Sequence, residues 1–156
     1  MSNTAVHAPV AGRAIPLAEV PDPVFSTGMV GYGAAVDPPR EVIDAVAPVG
    51  GKLLRLMPHA FVIMTADNVG VLVHLGIDTV ALEGEGFTTH VSQGDEVTAG
   101  QRIVTYDVPA IVAKGLNPVV PVVVMDERNA DNIKPDEAVL EGAVIAPGAD
   151  LFTAHT

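Results

Sequence analysis

Glycine and proline interrupt this chain so often that long helices are excluded. Its 156 residues carry 15 Gly and 13 Pro, and few windows escape both for the three turns a stable helix needs. Between the breaks stand short runs of Val, Ala, Leu and Ile. Branched side chains suit a pleated surface, and Gly and Pro suit turns, so the chain is expected to be all-β. Alternation marks strands at 61–65, 71–77, 103–107 and 119–125. Short helices fit only at 108–114 and 126–133, while Pro21, Pro23, Pro38 and Pro39 bound a long early loop around residues 25–32.

An internal repeat organises these pieces. Ala-Pro-Val-x-Gly followed by a cation occurs at residues 8–13 and again at 47–52, an offset of 39. The later half echoes itself at a different offset: Gly94 and Gly100 bracket one turn segment, and Gly142 and Gly148 bracket another 48 residues on. Two offsets argue for a duplicated hairpin motif folded into an antiparallel β-sandwich or flattened barrel, since a solenoid needs one constant period over several copies. The length suits one domain, with 1–5 expected as a disordered tail, 6–152 as the folded unit and 153–156 as a C-terminal tail.

Charge and composition exclude several functions. A formal net charge of −11 opposes nucleic-acid binding, which relies on Lys and Arg to neutralise phosphates, and favours a basic protein partner. Without cysteine there is no thiolate ligand, disulfide or cysteine nucleophile. The N-terminus lacks the pattern of a secretory signal. The most apolar run, 118–125, is short of the roughly 20 residues that cross a bilayer. A cytoplasmic protein with no direct membrane insertion is expected.

The informative segment is His59-Ala-Phe-Val-Ile-Met-Thr-Ala-Asp-Asn-Val-Gly-Val-Leu-Val-His-Leu-Gly-Ile-Asp78. It reads as a β-hairpin reversing near residues 66–68, where Asn68 tolerates a left-handed conformation. A reversal centred between Ala66 and Asp67 sets His59 opposite His74, their Cβ atoms about 4.5–5.5 Å apart. That pairing requires an even-numbered loop, because a slip of one residue sends the two to opposite faces. Adjacent imidazoles support metal binding, acid–base work or nucleophilic capture of a phosphoryl group. Apolar neighbours such as Phe25, Phe61 and Leu72 would keep water from a hydrolysable phosphoramidate.

The run Val71-Leu-Val-His-Leu-Gly-Ile-Asp-Thr-Val-Ala-Leu-Glu-Gly-Glu-Gly-Phe87, preceded by Pro58-His-Ala-Phe61, resembles the phosphohistidine signature of glucose-type IIA domains of the phosphoenolpyruvate-dependent sugar phosphotransferase system. The early loop 20–33, Ala47-Pro-Val-x-Gly51, Gly94-Asp95, Gly100 and Pro118-Val-Val120 follow in family order, so the resemblance covers about residues 6–152. It implies an antiparallel β-sandwich of duplicated motifs. It also implies a phosphotransferase component whose His74 accepts a phosphoryl group from the histidine-containing phosphocarrier protein HPr and passes it to a cysteine on the IIB domain of a membrane permease for glucose or N-acetylglucosamine. Carried over by position, His59 supports the phosphoryl group. Phe25, Met29, Val30, Phe61 and Leu72 form an apolar docking surface, and Asp22 and Asp78 meet basic residues of the partner. A regulatory role toward transporters or kinases accompanies phosphotransfer in the family. The resemblance departs at Met57, where Thr is common, so a hydrogen bond that would orient His59 must come from elsewhere or be absent. The membrane-associating N-terminal segment of some relatives is expected to be missing.

Competing readings are weaker. His74 and Asp78 have the His-x-x-x-Asp spacing of lysostaphin-type zinc hydrolases, but no His-x-His completes a three-ligand site. His7, His90 and His155 are isolated in sequence. No cofactor is expected, beyond zinc that His59 and His74 could share with a partner's carboxylate. A lipoyl-type carrier, suggested by the run 93–101, would need a turn lysine that neither Lys52 nor Lys134 supplies. Glu83, Glu85 and Asp95 read as a solvated acidic rim. Gly84, Gly86 and Gly94 precede no Gly-Lys-Ser or Gly-Lys-Thr, so no nucleotide loop is formed.

Overall fold

In the computed structural model, which describes residues 3–155, fourteen short strands and three short helices follow the Gly and Pro breaks. The strands are β1 (Asn3–His7), β2 (Gly12–Pro16), β3 (Gly31–Asp37), β4 (Val42–Val46), β5 (Gly51–Met57), β6 (Ala60–Met64) and β7 (Gly70–His74). There follow β8 (Phe87–Thr89), β9 (Glu96–Val97), β10 (Arg102–Asp107), β11 (Val120–Met125), β12 (Ile133–Pro135), β13 (Val144–Ile145) and β14 (Asp150–His155). Helices α1 (Pro23–Ser26), α2 (Val108–Ala113) and α3 (Glu137–Glu141) each open on an aspartate, Asp22, Asp107 and Asp136, whose carboxylate accepts an amide hydrogen of the first turn. The expected helix at 126–133 shrinks to a single 3-10 turn at Ala130–Asn132, because Asp126 takes a positive φ of 63° that no helix continues.

The strands pair antiparallel throughout, in one large curled sheet of order β13-β2-β3-β11-β7-β6-β5-β9 and two three-stranded sheets, β1-β14-β12 and β4-β10-β8. This is the expected all-β architecture, and the pairings make the duplication explicit. The trio β1, β14 and β12 has its counterpart in β4, β10 and β8, while β2 with β13 has its counterpart in β5 with β9. The two Ala-Pro-Val motifs bond across to each other, His7 N to Pro48 O at 2.9 Å and Val46 N to Pro9 O at 2.7 Å. The glycine closing each motif is sterically required. A Cβ on Gly12 would lie 2.2 Å from the Asp37 carbonyl oxygen, and one on Gly51 would lie 2.2 Å from that of Met64.

The chain ends differ from expectation. Residues 3–5 and 153–155 are not tails: β1 lies along β14 with Asn3 opposite His155 and Ala5 opposite Thr153. Closing the three-stranded sheet with both ends satisfies backbone groups that loose tails would leave to solvent. The remainder of those expected tails, residues 1, 2 and 156, lies outside the described residues.

Two apolar clusters flank the large sheet. The larger takes Phe61, Ile63, Val71, Val73, Val122 and Val124 from one face and packs them on Leu53, Ile103, Tyr106, Ile111 and Leu151. The smaller takes Ala60, Val62, Leu72 and Val123 from the opposite face and is covered by Leu17, Val20 and Phe25 from the early segment. Burial on both faces explains why these strands read as nearly continuous Val and Ile runs rather than clean alternation. The smaller cluster ends at the histidines.

Candidate phosphotransfer site

The two imidazoles do meet, by a route the sequence does not reveal. The loop joining β6 to β7 covers residues 65–69, an odd number, with Asn68 left-handed at φ 63° as expected. The register is therefore slipped by one, and Ala60, not His59, stands opposite His74. Strict alternation would then part the histidines. It does not apply, because Met57 pairs with Ala60 and leaves Pro58 and His59 as a two-residue turn. At that turn the ring of His59 folds over to His74, with centroids 5.1 Å apart and planes at 73°, and the His59 carbonyl accepts from Leu75 N at 2.7 Å.

His74 closes β7. Its Nδ1 lies 2.6 Å from the Gly76 carbonyl oxygen. A carbonyl only accepts, so Nδ1 carries the hydrogen and Nε2 keeps its lone pair. Phe25 packs on the other side of the ring, centroids 5.2 Å apart. The expected strand 71–77 stops at His74 because Gly76 turns the chain at φ 86°. Leu75 then enters the larger cluster and Ile77 the smaller.

Burial lowers the pKa of both rings below the usual 6.5. For His74 the Gly76 carbonyl and the Asp22 and Asp78 carboxylates push back upward without reversing the shift, and for His59 the charge of His74 adds to the lowering. Both are therefore neutral at pH 7. NMR titration is expected to place both midpoints below 6.5. A depressed histidine stabilises the fold fully above its unfolded pKa and loses that contribution as pH falls through its folded pKa. Nucleophilic reactivity at Nε2 of His74, read by its rate of modification with diethyl pyrocarbonate, is accordingly expected to stay level from pH 8 to about 7 and to fall at more acid pH as Nε2 is protonated. A rate that falls already between pH 8 and 7 would contradict this.

The histidines border an open depression of about 700 Å³ lined by Leu54, Arg55, Met57, Ala60, Val62, Leu72, Gln93 and Met125. Its lining is largely apolar, and of the three apolar neighbours expected from sequence only Leu72 belongs to it. Leu54, Arg55, Gln93 and Met125 were not legible as site residues, since they arrive from β5, β11 and the loop before β9. The Met57 side chain gives His59 no hydrogen bond, and among the described residues neither ring nitrogen of His59 has a protein partner. Its orientation rests on packing against His74.

The other expected site residues divide. Phe25 and Leu72 are nearly covered, Val30 packs at the margin of the smaller cluster, and Met29 is 63% exposed. Asp22 caps α1 by accepting from Val24 N at 2.8 Å. Asp78 is exposed on a left-handed residue two places after Gly76. Phe61 is misplaced by the reading from sequence: with the register slipped by one it faces away from His74 and is 0% exposed in the larger cluster, where no partner can reach it.

The family model for the phosphoenolpyruvate-dependent sugar phosphotransferase system, EIIA 1, matches residues 4–130. The chain belongs to this family. It is 40% identical over 131 residues to a glucose-specific EIIA component of Oceanobacillus iheyensis, covering 83% of this chain and 78% of that protein. It is 43% identical over 129 residues to a mannose-specific EIIBCA component of Corynebacterium glutamicum, where the match covers 83% of this chain but 19% of the relative. The fold superposes on a glucose permease IIA from Mycoplasma capricolum with a TM-score of 0.84 at 34% identity, covering 98% of this chain and 96% of that one. As an EIIA-family chain it is a phosphocarrier component of the phosphotransferase system. The zinc-hydrolase reading of His74 and Asp78 finds no support in these relatives, and among the described residues no three His, Cys, Asp or Glu side chains cluster as metal ligands. No helix among the described residues is long and apolar enough to cross a membrane.

Proposed function

We propose that Nε2 of His74 accepts a phosphoryl group from phosphorylated HPr and delivers it to the cysteine of a permease IIB domain, in the cytoplasm. The carrying observation is the 2.6 Å contact of Nδ1 with the Gly76 carbonyl, which commits the proton to Nδ1 and leaves Nε2 as the nucleophile. In the first step the Nε2 lone pair forms a bond to phosphorus while the phosphorus–nitrogen bond of the donor histidine breaks. In the second, the cysteine thiolate attacks phosphorus and Nε2 recovers its lone pair. Phe25, Leu72 and Met57 exclude water from the phosphoramidate between the two steps.

Docking uses the apolar surface around the depression, with exposed Met29 and half-buried Val30 at its margin and Asp22 and Asp78 offered to basic residues of the partner. Complementary charge of this kind speeds encounter more than it deepens affinity. Fusion of EIIA with EIIB and EIIC in relatives named EIIBCA components supports IIB as the acceptor. The permease chooses the sugar.

His59 supports the transferring group with a donated hydrogen bond. His59→Ala is therefore expected to keep acceptance from HPr within about threefold of wild type and to slow onward transfer to IIB by about tenfold or more. Rapid-quench measurement of the two half-reactions checks this, and equal rates in both would remove His59 from the mechanism.

A further inference from the structure

Beneath the loop that carries Gly76 lies a buried hydroxyl with no part in the chemistry above. Tyr106 on β10 is 0% exposed, its ring stacked on Phe87 at 5.4 Å, and its hydroxyl donates to the Pro118 carbonyl at 2.8 Å. Pro118 sits in the segment that tethers the loop. Gly76 N donates to Val119 O at 3.1 Å and Ile77 N to Asn117 O at 2.9 Å, and the Asn117 side chain closes the hook by accepting from Val119 N at 2.9 Å. The hydroxyl is also directly under the glycine, since a Cβ on Gly76 would lie 3.0 Å from it. A phenylalanine would fill the same volume, so what the hydroxyl adds is one bond to one buried carbonyl. Losing it leaves that carbonyl unsatisfied at the point where the loop is held.

We propose that Tyr106 is a positioning residue for His74: by fixing segment 117–119 it keeps the Gly76 carbonyl aimed at Nδ1 and so keeps Nε2 unprotonated. The kinetic consequence rests on the phosphocarrier reading; the tautomer does not. Burial pushes the Tyr106 pKa up, so the hydroxyl remains a donor wherever the protein works.

The test is Tyr106→Phe, read by ¹⁵N NMR of the histidine ring nitrogens at pH 8 and by the phosphoryl-acceptance kinetics. Wild type is expected to show His74 with Nδ1 protonated. In the variant the Nε2-protonated tautomer is expected to rise several-fold. The acceptance kcat is expected to fall about three- to tenfold with the KM for phosphorylated HPr little changed. Ile103→Val, a core truncation on the same strand, serves as the control for general destabilisation and should leave the tautomer alone. A folded Tyr106→Phe whose His74 ring signals match wild type overturns the proposal. Should that variant not fold, 3-fluorotyrosine placed at 106 alters the strength of the bond without removing the ring. It is expected to move the His74 Nδ1 proton resonance, and an unmoved resonance equally overturns the proposal. A wild-type chain that shows the tautomer yet accepts no phosphoryl group would sink the phosphocarrier reading and leave the positioning intact.

Discussion

His74→Ala is expected to abolish phosphoryl uptake from phosphorylated HPr, by about a thousandfold or more, while the circular dichroism spectrum stays that of the wild type. The magnitude follows from the site's economy: among the described residues, His59 alone offers another imidazole in the depression. His59 cannot take over, because no carbonyl fixes its tautomer and its ring sits on the turn before β6 rather than at the end of β7, beside the Gly76 carbonyl. The fold should survive because His74 lies at the margin of the smaller cluster, not in the larger core. Transfer measured with radiolabelled phosphoenolpyruvate checks the claim; residual uptake at a tenth of the wild-type rate would place the acceptor elsewhere.

Phe61→Ala is expected to cost about 3–5 kcal/mol of stability, the usual consequence of emptying an aromatic site in a packed core. Phe61 is fully enclosed between β6 and the residues of the larger cluster, so a denaturation midpoint well below wild type is the expected readout. A docking residue would behave in the opposite way, losing partner affinity at constant stability. Unchanged unfolding with weakened binding to HPr would return Phe61 to the exposed face and refute the slipped register.

That one residue shows where the sequence stops being legible. Gly and Pro spacing gives short strands, and the repeated Ala-Pro-Val motif marks a duplication whose partners bond to each other through Pro9 and Pro48. These are local or pairwise signals, so they survive without coordinates. Register depends instead on whether a loop holds an odd or even number of residues, and alternation cannot tell residue 64 from residue 65 as the last of a strand. The odd loop at 65–69 moved Phe61 inward. The compensating turn at Pro58 and His59, a second feature invisible to alternation, brought the histidine back.

Other misses have the same character. Residues 3–5 and 153–155 look like tails because few apolar positions mark them, but they pair with each other across nearly the whole chain. The site's remaining wall, from Leu54 to Met125, is assembled by strand order in the large sheet, which places β11 beside β7. The early proline-bounded segment looks like a plain loop, yet it folds Phe25 onto His74 through a turn of helix capped by Asp22. In each case the deciding contact joins residues far apart in sequence, where propensity carries no information.

The most direct measurement is to incubate the wild-type chain with phosphoenolpyruvate, enzyme I and HPr, and then to map the product by intact mass and by ³¹P and ¹⁵N NMR. A single acid-labile phosphoryl group bonded to Nε2 of His74, with Nδ1 still protonated toward the Gly76 carbonyl, is the predicted outcome. A phosphoryl group on Nδ1 of His74, on His59, or on no histidine at all would contradict it.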